Sequence, residues 1–336
     1  MSSSSSIRYA RTSLVIAAAG VFLSSSVGDR ASAQAPPAWP SRTITAIVPL
    51  SPGNAIDVVG RAVLEQVSRQ IGQAIVVENR VGAGGTLGAN AVAKAAPDGH
   101  TILVHSSSFA SAAAIYSTLP YDTERDFAPV ISLGLQPTVL VTAPSNGYKT
   151  LDDLIAAAKA KPGEVTYASA GVGSASHFAA ERFRMAAGFR GQHIPFRGPN
   201  EALTDVMTGR VVFYFLPLAP ALPLLQENKL IALTVSTEKR NPALPDVPTT
   251  AEAGIKDASY HFWTALFLPA GTPRDIVERW HAEALKALNT PVVQERLAKL
   301  AVQPFPMPLP DFEKYFRDDV NANRKLVQDA GIPKTN

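Results

Sequence analysis

Short runs of β-branched and apolar residues alternate with segments of helical periodicity along most of the chain. The run from Thr43 to Val48 predicts a strand, and the apolar positions between Ile56 and Ile71 recur at the spacing of one helix face. Strands separated by helices are typical of parallel βαβ units, so the pattern predicts an α/β fold. Further strands are predicted over 74–77, 101–104, 165–168, 193–196, 211–215 and 230–235, with helices over 86–95, 151–160, 178–187 and 201–207.

The last third of the chain is predicted to be mainly helical. Thr272-Pro-Arg-Asp275 predicts a helix start with Thr272 as the N-cap and Pro273 at the first helical position. Another helix is predicted to begin at Pro291, and a last one to cover Asp311 to Ala330.

Two extended apolar stretches, 138–142 and 262–268, separate the α/β units. If both stretches cross between lobes, the second lobe is inserted into the first, with a ligand cleft between them. The predicted lobes are then 34–139 with 264–336, and 140–263 as the insertion.

The N-terminus predicts a secretory signal peptide over residues 1–33. Arg8 and Arg11 precede an apolar run from Leu14 to Leu23 that is too short to span a bilayer, and Ala31-Ser-Ala33 offers a cleavage site. We therefore expect a periplasmic protein that is cleaved after Ala33.

Composition removes several classes of function. The formal charge of +3 includes a net +2 from the predicted signal peptide, so the remaining chain lies near neutrality and lacks the charge of a nucleic-acid binder. The absence of cysteine excludes disulfides, thiolate metal sites and cysteine nucleophiles. The six histidines show no metal-binding spacing, so no metal or cofactor is expected.

Two glycine- and serine-rich turns join a predicted strand to a predicted helix. One spans Pro49 to Asp57 and the other Ser169 to His177. A helix N-terminus carries unpaired backbone N–H groups, and glycine lets a ligand approach them closely, so both turns suit an anion. Gly and Ser are also ordinary capping residues, and an acid such as Asp57 is favoured in a first helical turn, so each turn by itself leaves both interpretations open.

Other motifs are weaker. Gly82-Ala-Gly84 starts a dinucleotide-binding pattern, but the third glycine comes one residue late, at Gly88. No G-x-S-x-G is present, and His177 is interpreted as a solvent or cleft residue rather than a general base. Ser106 to Ser108 follow a strand and either supply donors or cap the next helix.

The chain resembles the periplasmic solute-binding receptors of tripartite tricarboxylate transporters, often called Bug receptors. The matching segments are spread over the chain from Trp39 onward: 47–57, 76–85, 96–101, 167–174, 195–198, 245–248 with 252–254, and 269–273. The resemblance implies a type II periplasmic-binding-protein fold, with two α/β lobes joined by two hinge strands. It also implies a carboxylate held between the turns at 49–57 and 169–174. Leu50 and Asn54 replace the family's usual Phe and Gly, and Val212 replaces an acid, which suggests a ligand less polar than citrate.

These inferences predict a monomeric, non-enzymatic receptor that captures a small carboxylate for a tripartite uptake system. The expected ligand-binding residues lie in the two turns and beside them: Leu50, Ser51, Gly53, Asn54, Asp57, Ser106, Ser169, Gly171, Gly173, Ser174, His177, Phe196, Arg197 and Gly198. The competing hypotheses are a secreted hydrolase of carboxylate esters, which needs a serine and histidine pair, and a sensory receptor that engages a signalling protein without transport.

Overall fold

The computed structural model describes residues 39–335, which form two lobes, each built on a five-stranded sheet. The predicted signal peptide lies outside these residues. Within the described part of the chain, no helix is long and apolar enough to cross a membrane.

The first sheet has the order β2-β1-β3-β10-β4. Strand β1 pairs in parallel with β2 and β3, whereas β10 pairs antiparallel with β3 and β4. Its strands are β1 (Ile44–Val48), β2 (Ile75–Asn79), β3 (Thr101–Ser106), β4 (Phe127–Gln136) and β10 (Phe262–Pro269).

The second sheet has the order β7-β6-β8-β5-β9. Strand β6 pairs in parallel with β7 and β8, whereas β5 pairs antiparallel with β8 and β9. The chain enters this sheet directly from β4 and returns to the first sheet at β10. Its strands are β5 (Thr138–Thr142), β6 (Thr166–Ser169), β7 (Gln192–Pro195), β8 (Phe213–Pro217) and β9 (Ile231–Val235). The α/β prediction is confirmed, with mixed rather than purely parallel sheets.

Helices cover both faces of each sheet. On the first sheet, α1, α8 and α9 form one core, and α2, α3 and α10 form the other. On the second sheet, α4 and α5 lie on one face, and α6 and α7 on the other. The helices are α1 (Ala55–Ile71), α2 (Thr86–Ala93), α3 (Ser107–Ile115), α4 (Leu151–Ala160), α5 (Ala175–Ala187), α6 (Pro199–Met207), α7 (Leu218–Gln226), α8 (Arg274–Leu288), α9 (Pro291–Lys299) and α10 (Leu309–Ala330).

Helices α5, α6 and α10 begin two or three residues before their predicted starts, and the predicted N-cap of α8 is wrong. Helix α8 begins at Arg274, and Pro273, not Thr272, is its N-cap. The Thr272 hydroxyl donates to the Pro269 carbonyl at 2.7 Å instead of accepting from the helix. Since Pro273 lies outside the helix, its carbonyl accepts the first bond, from the Val277 amide at 3.1 Å.

Candidate functional site

The first predicted turn leaves β1 and enters α1, and its backbone is held by two side chains. Asn54 is the N-cap, and its Oδ1 accepts from the Ile56 and Asp57 amides at 2.8 and 3.2 Å. The buried Asp57 carboxylate accepts from the Gly53 amide at 2.9 Å, where the backbone has a φ of 78° that favours glycine. Asp57 therefore organises the turn from inside the protein.

Asp57 is ionised despite its burial. Burial opposes the charge and raises its pKa, but hydrogen bonds from Arg61, Gly53 and Asn79 and the charge of Arg61 outweigh this effect and hold the pKa below its ordinary value. The Asp57 Oδ1 accepts from Arg61 Nε and from Asn79 Nδ2, both at 2.9 Å. The Arg61 guanidinium is thus directed to Asp57 and Asn79.

The second predicted turn leaves β6 and enters α5. Ser174 is the N-cap, and its hydroxyl accepts from the His177 amide at 3.3 Å and donates to the Gly171 carbonyl at 2.7 Å. Gly171 and Gly173 have φ values of 119° and 81°. The Gly173 amide donates to His177 Nδ1 at 3.2 Å, so a neutral ring caps this turn as Asp57 caps the first.

A third capped helix, α3, contacts the second lobe. Ser106 ends β3 and caps α3 by accepting from the Ser108 amide at 3.3 Å. One turn further along α3, the Ser111 hydroxyl donates to the carbonyl of Gly173 at 3.2 Å. A Cβ at Gly173 would also lie 3.4 Å from the Ile115 side chain. The second-lobe turn therefore lies directly against α3 of the first lobe.

Most of the predicted ligand donors already have partners inside the turns. The amides of Gly53, Gly171 and Gly173 donate to Asp57, Ser169 and His177. The side chains of Asn54 and Ser174 donate to the carbonyls of Ser51 and Gly171. A ligand must therefore replace the present acceptors before it can accept hydrogen bonds from these donors.

The remaining predicted residues differ in accessibility. Leu50 is half-buried against the first core, and Ser51 is exposed. Phe196 is half-buried, and its amide donates to the Ser169 carbonyl at 3.0 Å, which places the segment from Phe196 to Gly198 beside the second turn. The Arg197 side chain is exposed.

His177 is buried rather than solvent-facing. Its ring stacks on His193 with centroids 4.0 Å apart and is 2% exposed. Burial lowers its pKa to about 3, and the charges of His193 and Arg184 act in the same direction. The ring is therefore neutral and holds the turn as a hydrogen-bond acceptor.

A serine and histidine pair lies under the same turn. Ser169 Oγ is 2.6 Å from His193 Nε2, and burial lowers the pKa of His193. The Ser169 side chain is fully buried, and no carboxylate in the described part of the chain accepts a hydrogen bond from His193. The two atoms are as close as a nucleophile and its general base, but the Ser169 hydroxyl is not exposed to a substrate.

Sequence reasoning did not single out His105, at the end of β3. Its Nδ1 accepts from the Ser106 amide at 2.8 Å, so the neutral ring carries its proton on Nε2. Burial lowers its pKa to about 3. Nε2 lies close to the Gly85 backbone, since a Cβ there would be 3.1 Å away. His105 lies two residues after the buried Leu103 in β3, so the two side chains are on the same face of the sheet. This spacing was the signal that could have identified His105.

The chain matches the model of the tripartite tricarboxylate transporter family receptors over residues 59–332. It is 39% identical over 267 residues to a protein from the tcbD-tcbE intergenic region of Pseudomonas sp. strain P51, covering 79% of this chain and 80% of that protein. An R. palustris protein solved with adipate is similar at 30% identity, with a TM-score of 0.75 over 88% of this chain and 100% of that one. MatC from Rhodopseudomonas palustris, solved with bound malate, is similar at 32% identity, with a TM-score of 0.72 over 86% and 99%.

Proposed function

The chain belongs to the tripartite tricarboxylate transporter receptor family, and we propose that it captures a small carboxylate between the turns at 49–57 and 169–174. The observation that carries the proposal is the contact between Ser111 and the Gly173 carbonyl, because it sets the second-lobe turn against α3, the helix that the predicted ligand residue Ser106 caps. Three helix N-termini, those of α1, α3 and α5, are each capped by a side chain of the predicted site. Their dipoles favour an anion.

The ligand class follows from the same residues and from the relatives. The three N-cap side chains, Asn54, Ser106 and Ser174, are neutral, and Leu50 adds an apolar contact; the buried Asp57 carboxylate is the one ionised group within the two turns. Similar proteins were solved with adipate and malate, which are dicarboxylates. We expect a dicarboxylate or an aromatic acid, delivered to membrane subunits of a tripartite transporter in the periplasm.

A thermal-shift screen of residues 34–336 against adipate, malate, citrate, terephthalate and nicotinate tests this function. A ligand at 100 times its Kd stabilises by about 2.7 kcal/mol, which is a shift of several degrees. Each acid is paired with its ester or amide as a control. Stabilisation by an acid and not by its ester supports the proposal, whereas equal stabilisation by both contradicts an anion site.

The Ser169 and His193 contact supports a second candidate, an esterase, because nucleophilic catalysis needs this pair. Burial of Ser169 argues against it, since a substrate carbonyl must reach the hydroxyl. Hydrolysis of p-nitrophenyl acetate by the protein, lost in Ser169→Ala, would establish the esterase. Stoichiometric binding without product favours the receptor.

A further inference from the structure

Helix α5 carries the second-lobe turn, so its orientation decides where that turn lies. Two turns beyond Ser174, Arg182 extends from α5 to α10 of the first lobe, and its side chain is 19% exposed. Its Nη2 donates to Asp319 Oδ1 at 3.2 Å and to Asn323 Oδ1 at 3.1 Å. A guanidinium with several fixed acceptors is held in one direction.

Asp319 joins this contact to strand β10, where the chain returns to the first sheet. Its Oδ2 accepts from Trp263 Nε1 of β10 at 3.0 Å, while Oδ1 accepts from Arg182. One carboxylate therefore links α5 of the second lobe to α10 and to strand β10 of the first lobe.

Tyr260 extends the network to the predicted site. The Arg182 guanidinium lies 5.3 Å from the centre of the Tyr260 ring, a cation–π distance. The Tyr260 hydroxyl donates to Ser107 Oγ at 3.2 Å, and Ser107 directly follows the predicted ligand residue Ser106. The buried contacts thus run from α5 to the N-terminus of α3.

The geometry points to Arg182 as a positioning residue, which with Asp319, Asn323 and Tyr260 forms an interlobe clamp that holds the turn at 171–174 against α3. Its role in ligand binding rests on the proposed function. The clamp borders an open cavity of about 700 Å³ at the lobe junction. Loss of the clamp leaves α5 held to α3 and α10 by apolar contacts alone, such as those of Ile115 and Leu326, which fix its orientation less sharply than the ion pair.

The same helix provides a matched control. Arg184 also pairs with a buried carboxylate, because its Nη2 donates to Glu181 Oε2 at 2.6 Å, and its side chain is 17% exposed. Its other partner is the Phe189 carbonyl at 3.3 Å. All these partners lie in the second lobe, so loss of Arg184 removes a similar ion pair without an interlobe contact.

The absence of cysteine allows two spin labels to be placed cleanly, at Lys159→Cys on α4 and Val292→Cys on α9. Pulsed EPR on the ligand-free protein measures the distribution of distances between the lobes. We expect Arg182→Ala to broaden or lengthen it and Arg184→Ala to leave it unchanged. The pair Arg182→Ala and Asp319→Asn removes both charges and keeps an acceptor for Trp263, so it tests the clamp without a lone buried carboxylate. An unaltered distribution in both Arg182 variants overturns the inference.

A second arm measures affinity for the acid identified in the screen. If the fraction of molecules in the lobe arrangement that binds the acid falls to about one tenth, the apparent Kd rises about tenfold. Arg184→Ala should keep the parental Kd, and an equal loss in both variants contradicts a positioning role. If the parent binds no acid, the carboxylate proposal fails while the EPR distances still decide the clamp.

Discussion

Asp57→Asn tests whether the first turn is organised from within by a buried carboxylate. The substitution keeps the shape of the side chain but replaces one acceptor oxygen with an NH2 group. Asp57 accepts from the Gly53 amide, Arg61 and Asn79. An asparagine can satisfy only part of this set, because its Nδ2 faces another donor.

The magnitude follows from the exposure of each partner. Arg61 is 46% exposed, so its ion pair contributes under about 1 kcal/mol. The bonds from Gly53 and Asn79 to a charged group are worth about 1.5 kcal/mol or more each, and asparagine retains a weakened part of them. We expect a loss of about 2 kcal/mol in the free energy of unfolding at pH 7, measured by urea unfolding.

The pH dependence of the unfolding free energy tests the same reasoning, because it fixes the direction in which the difference between parent and variant should change. Since the folded pKa of Asp57 lies below its ordinary value of 3.8, its stabilisation is complete above about pH 4 and is lost as the pH falls through the folded pKa. The difference between parent and variant should be constant from pH 7 to 5 and shrink below pH 4. Glu295→Gln, which breaks an exposed ion pair with Lys299, should leave the unfolding midpoint unchanged. A loss under about 0.5 kcal/mol for Asp57→Asn, or a difference that grows on acidification, refutes the reasoning.

Three further predictions concern the second turn and β3. Ser174→Ala and Thr150→Ala each remove an N-cap and should cost about 1 kcal/mol in urea unfolding; only Ser174→Ala should weaken acid binding in calorimetry, roughly fivefold. Gly173→Ala forces a Cβ onto a φ of 81° at 3.4 Å from Ile115, so it should cost about 1 to 2 kcal/mol, and an unchanged thermal midpoint contradicts the conformation. Burial holds the His105 pKa near 3, below its ordinary 6.5, so the unfolded chain binds the extra proton on acidification. His105 then removes about 2 kcal/mol of stability between pH 6.5 and 5, and His105→Gln should remove this share of the slope in urea titrations, while the buried His177, whose pKa is also about 3, keeps its own share.

Local patterns predicted the elements whose causes are local. Helix α4, predicted over 151–160, begins with a capping box of Thr150 and Asp153, whose partners lie within one turn. The apolar face of α1 follows from its spacing, and the structure adds that the helix ends at Gly72, a left-handed C-cap. Strand β4 and helix α7 were not predicted, since Pro129 and Gly134, and Pro220 and Pro223, read as breaks. Burial of most of β4 overrides the break signals in that strand.

The contacts that build the candidate site are less local. Helical spacing alone brings Arg61 within one turn of Asp57, but Asn79 comes from the next strand and reaches Asp57 only because β1 and β2 pair in parallel. The stacking of His177 on His193 likewise requires β6 and β7 to be neighbours. Turn composition therefore predicts where a ligand could lie. The hydrogen-bond partners of the donors in those turns depend on strand order.

The two turns differ in how easily each releases a donor. The Gly53 amide donates to a charged carboxylate at 2.9 Å, while the Gly173 amide donates to a neutral imidazole at 3.2 Å. Hydrogen bonds to charged acceptors are shorter and roughly twice as strong as neutral ones. A ligand carboxylate gains by replacing His177 as the acceptor at Gly173, but at Gly53 it exchanges one carboxylate for another and approaches the charge of Asp57. The anion is therefore expected to bind first at the second-lobe turn, with the first-lobe turn contributing the exposed Ser51 and the apolar side chain of Leu50.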